Sequence, residues 1–232
     1  MSQHTVSAFD KDLDQLRQLV TDMGALVTSG IDDAMNALVA RHHSLAWQVV
    51  SNDRQIDELD ARIEKLVVQT LALRAPMADD LREIVAAMKI SSVVERIGDY
   101  AKNIAKRVPL ISHIAVDEPL TLLPPMSQIA REMVKDALDA FAAQDPDKAL
   151  LVIERDHMVD DFYNSIFRAV VTFMIENPKT ISECAHILFV AKNLERVGDH
   201  ATNAAEMVYY AATGQHPPER QRGGDFPSHK GE

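Results

Sequence analysis

An internal repeat constrains the fold of this chain more strongly than any other feature. The eleven residues from Glu95 to Ala105 recur 100 positions later, from Glu195 to Ala205, and seven of the eleven positions are identical. Both copies carry the pattern E-R-[IV]-G-D-x-A-x-N. A fold that accommodates this chain must therefore place the same element twice, in equivalent surroundings.

The repeat places oxygen-bearing side chains at steps of four residues. Residues spaced in this way lie on one face of an α-helix, and the residues before them on that face are largely apolar. The side chains are Glu95, Asp99 and Asn103 in the first copy and Glu195, Asp199 and Asn203 in the second. Carboxylates on a buried face repel each other and lose hydration, which costs several kcal/mol per charge unless they are neutralised. Arg96 and Arg196 do not share that face, so the pattern favours a bound cation.

The rest of the chain is also predicted to be helical. Hydrophobic residues make up 47% of the 232 residues but aromatic residues only 5%, which is typical of helices packed through aliphatic side chains. The chain has only eight glycines, and its prolines leave long uninterrupted stretches between clusters at 109–125 and 217–227. Apolar residues recur at steps of three and four along these stretches. We therefore predict an all-α fold.

Periodicity and capping signals predict six helices in two sets of three. The predicted helices cover about 7–40, 44–73, 76–107, 124–143, 146–176 and 180–212. Ser44 is the expected N-cap of the second helix, and Asp145 followed by Pro146 that of the fifth. Thr180 and Glu183 form the capping box expected for the sixth. The predicted domains are a three-helix repeat at 7–107, a linker at 108–123, a second three-helix repeat at 124–213 and a disordered tail at 214–232.

Aligning the two halves reveals a second pair of carboxylates in each. Asp53 and Asp57 lie four residues apart on the second predicted helix, and Asp156 and Asp160 lie at the matching places on the fifth. Each half thus offers four carboxylates. The candidate metal ligands are Asp53, Asp57, Glu95, Asp99, Asp156, Asp160, Glu195 and Asp199.

The donor set limits the metal. Oxygen ligands favour hard or intermediate cations such as Mg²⁺, Mn²⁺, Ca²⁺ or iron, whereas a structural zinc site would want cysteine or histidine. We expect a divalent or ferric ion, with Mg, Mn, Fe and Zn all left open. A di-iron oxidase is disfavoured because the repeated carboxylate motif, which reads Glu-Arg-[Ile/Val]-Gly, does not carry the Glu-x-x-His pair of such sites. His200, which replaces Tyr100 of the first copy, is expected to be a hydrogen-bonded or surface residue rather than a ligand.

Gly98 and Gly198 fall in the middle of predicted helices. Glycine costs a helix about 1 kcal/mol relative to alanine, so its recurrence indicates a close approach by a neighbouring helix or a ligand.

Charge and composition exclude several classes of function. The formal net charge is −11 and no basic run follows the chain, so nucleic acid is not expected as a partner. The single cysteine, Cys184, cannot form an intramolecular disulfide, and residues 1–25 do not resemble a signal peptide. No apolar stretch approaches the ~20 residues that cross a bilayer. We expect a cytoplasmic protein that associates with membranes only through partners. The sequence also lacks a nucleophile elbow, a glycine-rich phosphate loop and a Ser/His/Asp set, so we expect no enzyme.

The duplicated motif, the paired aspartates and the segments at 13–16, 23–24 and 76–82 together resemble the PhoU family of phosphate-uptake regulators. The resemblance covers about 7–213. It implies two three-helix bundles, a homodimer, and metal clusters held by the eight carboxylates. It also implies a negative regulator that couples the Pst phosphate transporter to a sensor histidine kinase, with the transporter ATPase subunit and the kinase as protein partners.

Two other classes of function remain open from the residues alone. A carboxylate-bridged metalloenzyme would need an open metal position beside a closed pocket. A metal-free helical scaffold would show no dependence on metal.

Overall fold

The computed structural model describes residues 2–111 and 120–218, with side chains from residue 9 onward. Six long helices make up most of this part of the chain, and no strand occurs within it. They are α1 (Ser2–Val39), α2 (His43–Arg74), α3 (Ala78–Ala105), α4 (Leu123–Ala143), α5 (Pro146–Glu176) and α6 (Ile181–Thr213). A helical turn at Val108–Ile111 follows α3, and a 3₁₀ turn at Pro178–Thr180 precedes α6. The prediction of an all-α fold is confirmed.

Local capping explains where α5 begins. Asp145 is the N-cap, its side chain accepts a hydrogen bond of 3.0 Å from the backbone N–H of Lys148, and Pro146 is the first helical residue. Proline is well suited to that position because its missing N–H would have had no intrahelical partner. The predicted N-terminus of this helix is confirmed.

The predicted cap at Ser44 is wrong, and the predicted cap at Thr180 is confirmed in position but not in its side-chain hydrogen bond. His42, rather than Ser44, is the N-cap of α2, and its Nδ1 accepts a hydrogen bond of 3.2 Å from the backbone N–H of Leu45. Thr180 is the N-cap of α6, but its hydroxyl donates back to the carbonyl of Asn177 at 2.8 Å instead of capping the helix. The preceding 3₁₀ turn holds Thr180 at ψ 5°, outside the extended region that a capping residue normally adopts.

The predicted domain bounds fall partly outside the described residues. α1 already begins at Ser2, so the predicted start at residue 7 lies within the helix. Residues 108–111 of the predicted linker form the turn after α3, and residues 112–119 lie outside the described part. Of the predicted disordered tail, 214–218 is described and 219–232 lies outside.

The helices form two three-helix bundles that pack side by side. α1, α2 and α3 contact one another, as do α4, α5 and α6. The bundles meet where α1 packs on α4 and α3 packs on α6. Four helices, α1, α3, α4 and α6, therefore form the centre of the molecule, and α2 and α5 lie at its two ends. On one broad face the helices follow the order α2, α3, α6, α5.

Close packing at a glycine and several polar contacts join the two bundles, and one of these contacts is made by a buried carboxylate. A Cβ on Gly24 of α1 would overlap the side chain of Leu138 on α4, so glycine permits this close packing. Glu83 of α3 is 7% exposed and accepts two hydrogen bonds from Arg17, at 2.6 and 2.9 Å. Gln144, at the end of α4, also donates to Glu83. A buried carboxylate thus ties the first bundle to the second.

The core is aliphatic along its whole length, as the composition indicated. Its largest fully buried side chains include Leu16, Met23, Ile31, Ile63 and Ile97. None of the helices in the described part is both long and apolar enough to cross a membrane.

Candidate functional site

The eight predicted carboxylates lie in two clusters, one in each bundle. The first cluster comprises Asp53 and Asp57 on α2 with Glu95 and Asp99 on α3; the second comprises Asp156 and Asp160 on α5 with Glu195 and Asp199 on α6. Each cluster therefore lies along the groove between two packed helices.

The repeated glycines bring these helices together. A Cβ on Gly98 would lie 2.9 Å from Cδ1 of Ile56 on α2 and 3.6 Å from Oδ1 of Asp53. A Cβ on Gly198 would lie 3.2 Å from Cγ1 of Val159 on α5. The expected close approach of a neighbouring helix is confirmed, and it is what places carboxylates of two helices side by side.

Crowding raises the proton affinity of three carboxylates. Burial, reinforced by the charge of Asp53, raises the pKa of Asp57. Burial, together with Asp99 and Asp57, raises the pKa of Glu95. In the second cluster, burial and the charges of Glu195, Asp156 and Asp160 raise the pKa of Asp199 to about 6. The members of each cluster thus interact electrostatically across the groove.

The first cluster contains its own cation. The ammonium of Lys102 on α3 donates to Oδ2 of Asp53 at 2.5 Å and to Oδ1 of Asp99 at 3.1 Å. Asp53 is buried, so this cationic partner offsets the hydration that its carboxylate loses. The hydrogen bonds to Asp53 and Asp99 raise the pKa of Lys102 above its ordinary value, although burial opposes the shift.

The negative charge of the second cluster is offset by different residues. Thr202 stands where the first repeat has Lys102, and its hydroxyl donates to Oδ1 of Asp156 at 3.1 Å. The nearest lysine is Lys192, which donates to Oε1 of Glu195 at 2.5 Å from the other end of the motif. The other carboxylate oxygen of Glu195, Oε2, is buried and has no hydrogen-bond partner.

Sequence reasoning missed both lysines. Lys102 follows Asp99 by three residues and Lys192 precedes Glu195 by three, spacings that place a side chain on the same helix face. That spacing was the available signal. It was overlooked because the two lysines stand where the repeats differ.

The side chains of the two clusters are suitable metal ligands by type, but their positions in this structure do not form a coordination site. Among the described residues, no three His, Cys, Asp or Glu side chains converge closely enough to hold an ion. The buried, unpartnered Oε2 of Glu195 and the crowded carboxylate of Asp199 suit a cation in the second cluster. In the first cluster, Lys102 already occupies that electrostatic position. Side-chain rotations would have to bring the oxygens of either cluster together around an ion.

The remaining motif residues lie between the bundles. The charge of Arg96 opposes the rise in the pKa of Glu95, so it still reaches the first cluster. Both arginines also act on the charge of His200 between α3 and α6, and Arg196 lies 5.9 Å from the centre of the Tyr100 ring beside it. Those two rings meet edge to face at 5.2 Å, and the backbone carbonyl of Arg196 lies 3.0 Å from Nδ1 of His200. Burial lowers the pKa of His200, and the two arginines lower it further. His200 thus packs against its own repeat partner, apart from the carboxylate cluster. Asn203 likewise lines the groove between α3 and α6.

Family comparison accounts for the repeat. The model of the PhoU domain matches twice, at residues 20–108 and 123–208. A phosphate-specific transport system accessory protein PhoU homolog of Zymomonas mobilis is 50% identical over 98% of this chain and 96% of that protein. A homolog of the same name from Rhizobium meliloti is 41% identical over 92% of this chain and 91% of its own.

Solved structures agree with the sequence relatives. The crystal structure of PhoU from Pseudomonas aeruginosa superimposes with a TM-score of 0.86 at 38% identity, and covers 89% of this chain and all of its own. The phosphate transport system regulatory protein PhoU of Streptococcus pneumoniae gives a TM-score of 0.83 at 27% identity, over 91% of this chain. Both domain matches, the relatives along almost the whole chain and the shared fold lead to one conclusion: this chain belongs to the PhoU family.

Proposed function

We propose that this protein is a negative regulator of phosphate uptake and of the phosphate-starvation response. It acts at the cytoplasmic face of the membrane through contacts with the ATPase subunit of the phosphate transporter and with a sensor histidine kinase. The observation that carries the proposal is the pair of PhoU domains spanning 20–108 and 123–208. Relatives along nearly the whole chain are named as accessory proteins of the phosphate-specific transport system.

The shape of the site supports regulation rather than catalysis. A cavity of about 60 Å³ adjoins the first cluster and is lined mainly by apolar and small residues, together with Asp33, Asn52 and Asp53. A cavity of this size holds a few water molecules, whereas small-molecule sites commonly measure about 300–1,000 Å³. A carboxylate-bridged metalloenzyme would need room for a substrate beside its metal.

The two carboxylate clusters hold metal ions in this proposal. Their oxygen donors suit Mg²⁺, Mn²⁺ or iron, while zinc would be less well matched. An ion in either groove would neutralise repelling carboxylates and fix α2 against α3, or α5 against α6. The metal would thereby set the relative tilt of the helices that present the docking surface.

Deletion of the gene in the source organism tests the regulatory role. Starvation-induced genes, followed with a reporter such as alkaline phosphatase, should be expressed in the deletant even when phosphate is abundant. The wild-type gene on a plasmid should restore repression. Continued repression in the deletant, with no second gene of the family present, would overturn the assignment.

A further inference from the structure

A basic groove runs between α3 and α6 on the face that also carries the two carboxylate clusters. We call it the α3–α6 seam. Its cationic residues are Arg82, Lys89, Arg96, Arg107 and Arg196. Arg82 and Lys89 line one end, Arg96 and Arg196 flank the Tyr100–His200 ring pair at the middle, and the guanidinium of Arg107 lies 4.5 Å above the Phe189 ring at the other end.

The floor of the seam is apolar and open. Its wider end is a groove of about 480 Å³, to which α3 contributes Val85 and Val93 and α6 contributes Met207 and Tyr210. Tyr210 is 40% exposed, and Phe189 at the far end is 55% exposed. Exposed aromatic rings beside guanidinium groups are typical of the residues that anchor protein contacts.

The charge of the seam is opposite to that of the protein. The chain has a formal net charge of −11, yet five cationic side chains follow this single groove. Glu206 is the one carboxylate among the residues lining the wider end, and Asp79 pairs with Arg82 at 2.6 Å near its edge. The first carboxylate cluster lies on one flank, between α2 and α3, and the second on the other flank, between α5 and α6.

We propose that the α3–α6 seam binds an acidic amphipathic helix of a partner protein. The inference rests on the proposed function in that it assigns a docking face to the regulator. A helix about 10 Å wide fits a groove between two packed helices, with apolar side chains on the floor and carboxylates toward the arginines. From Arg82 to Arg107 the seam extends about 37 Å at 1.5 Å per residue, enough for a helix of roughly 20–25 residues.

The carboxylate clusters on both sides of the seam favour a narrow ligand, such as a single helix, over a broad anionic surface. In the metal-free protein, a flat anionic membrane or a nucleic acid duplex would bring its charges against the carboxylates on both flanks as well as against the seam. A single helix touches only the basic strip. The same alternation of charge disfavours binding of the acidic helix in the neighbouring grooves, since like charges would then lie side by side.

The first test uses a labelled synthetic peptide of about 20 residues, with leucine on one helical face and glutamate on the other. Fluorescence anisotropy at low salt measures its binding to the full chain, to K89E/R96E and to the matched control R62E/K65E. The control makes the same change in net charge on exposed residues of α2, outside the seam. We expect K89E/R96E to bind at least about tenfold more weakly and the control to bind like the parent. Circular dichroism verifies that each variant is folded.

A second variant, Phe189→Ala, removes an apolar contact without a change in charge. It should also weaken peptide binding, while a peptide with lysine in place of glutamate should not bind. Equal binding of the acidic peptide to the parent and to K89E/R96E would overturn the proposal. Vesicles of phosphatidylcholine and phosphatidylglycerol test the lipid alternative. If K89E/R96E loses binding to these vesicles but binds the acidic peptide as the parent does, the seam is a lipid contact and the proposal is overturned.

A final arm separates the seam from the function. Purified transporter ATPase subunit from the same organism is tested against the same three chains by biolayer interferometry. If the subunit binds the parent and the control but not K89E/R96E, the docking face is the seam. If it binds all three alike, the seam assignment fails and the proposed function stands. If the subunit binds none of the three chains while the acidic peptide still binds the seam, the seam assignment stands and the ATPase subunit is not the partner.

Loss of a dimer in K89E/R96E by light scattering would identify a second copy of this chain as the occupant, and would overturn the proposal.

Discussion

Replacement of Lys102 by threonine should convert the first carboxylate cluster into the form of the second. The ammonium bridges Asp53 and Asp99, whereas Thr202 occupies the equivalent place in the other bundle. The Asp53 side chain is 7% exposed and that of Lys102 is 26% exposed, so the pair is intermediate between buried and open. The variant leaves a buried carboxylate without its cation.

The partial burial of the Lys102–Asp53 pair sets the expected loss in the free energy of unfolding. A broken buried pair costs about 3–5 kcal/mol and an exposed pair about 0–1 kcal/mol, so we expect Lys102→Thr to lose about 2 kcal/mol. For a chain of this size, that corresponds to a decrease in Tm of roughly 4–8 °C. Because the pKa of Lys102 is raised in the folded state, its stabilisation is complete below the ordinary lysine value of about 10.4. It is lost only as the pH rises through the folded-state pKa, so pH 7–8 is the appropriate range.

The assay is urea and thermal unfolding in the presence of a chelator, with Lys135→Thr as the matched control. Lys135 pairs with Asp139 at 2.7 Å on α4, but the two side chains are 59% and 44% exposed. Both variants lose similar helix propensity, so their difference isolates the buried charge. Added Mn²⁺ or Mg²⁺ should restore stability to Lys102→Thr and not to the control. A loss no greater than that of Lys135→Thr would show that Lys102 stabilises the fold no more than an exposed lysine does.

Three further predictions concern the second cluster, the metal and the assembly. The pKa of Asp199 is raised to about 6, so without metal the protein should lose stability as the pH rises from about 4 to 6. Asp199→Asn should remove that loss, which urea unfolding at several pH values would measure. The Asp199 side chain is exposed even though neighbouring protein atoms remove part of its hydration, so we expect a gain of less than about 1 kcal/mol at pH 8, and none at pH 4. Glu95→Gln combined with Asp99→Asn should reduce the metal found by elemental analysis to that of one cluster; full metal content would place the site elsewhere. Light scattering should report a particle twice the 25.8 kDa of one chain, and a monomer at micromolar concentration would count against the homodimer.

Local signals predicted the helices well where the chain itself supplies the cap. The predicted limits of α5, 146–176, are those of the structure because Asp145 and Pro146 mark its start through interactions within one turn. The cap at Ser44 was wrong because the His42 ring caps α2 instead. Thr180 is the N-cap of α6 as predicted, but the preceding turn fixes its geometry so that its hydroxyl does not cap the helix.

The carboxylate clusters could be predicted from the repeat, but their compensation could not. Identities between the two copies pointed to the acidic residues, whereas the cations differ between the copies. Lys102 is replaced by threonine at the equivalent position 202, and Lys192 by serine at the equivalent position 92. The seam left a faint trace, since Arg82, Lys89 and Arg96 recur every seven residues and so share a helix face. Its basic character becomes visible only when α3 packs against α6, which no local pattern specifies.

The most direct test of the account is whether this protein contacts the transporter and the kinase in the cell. The transporter ATPase subunit and the sensor kinase would each carry an affinity tag at native expression, with chemical crosslinking in phosphate-replete cells before purification. We expect this chain to be recovered with both tagged proteins, and the R62E/K65E control to be recovered equally well. Recovery with neither protein, from cells in which the chain is present at normal abundance, would contradict regulation through direct contact.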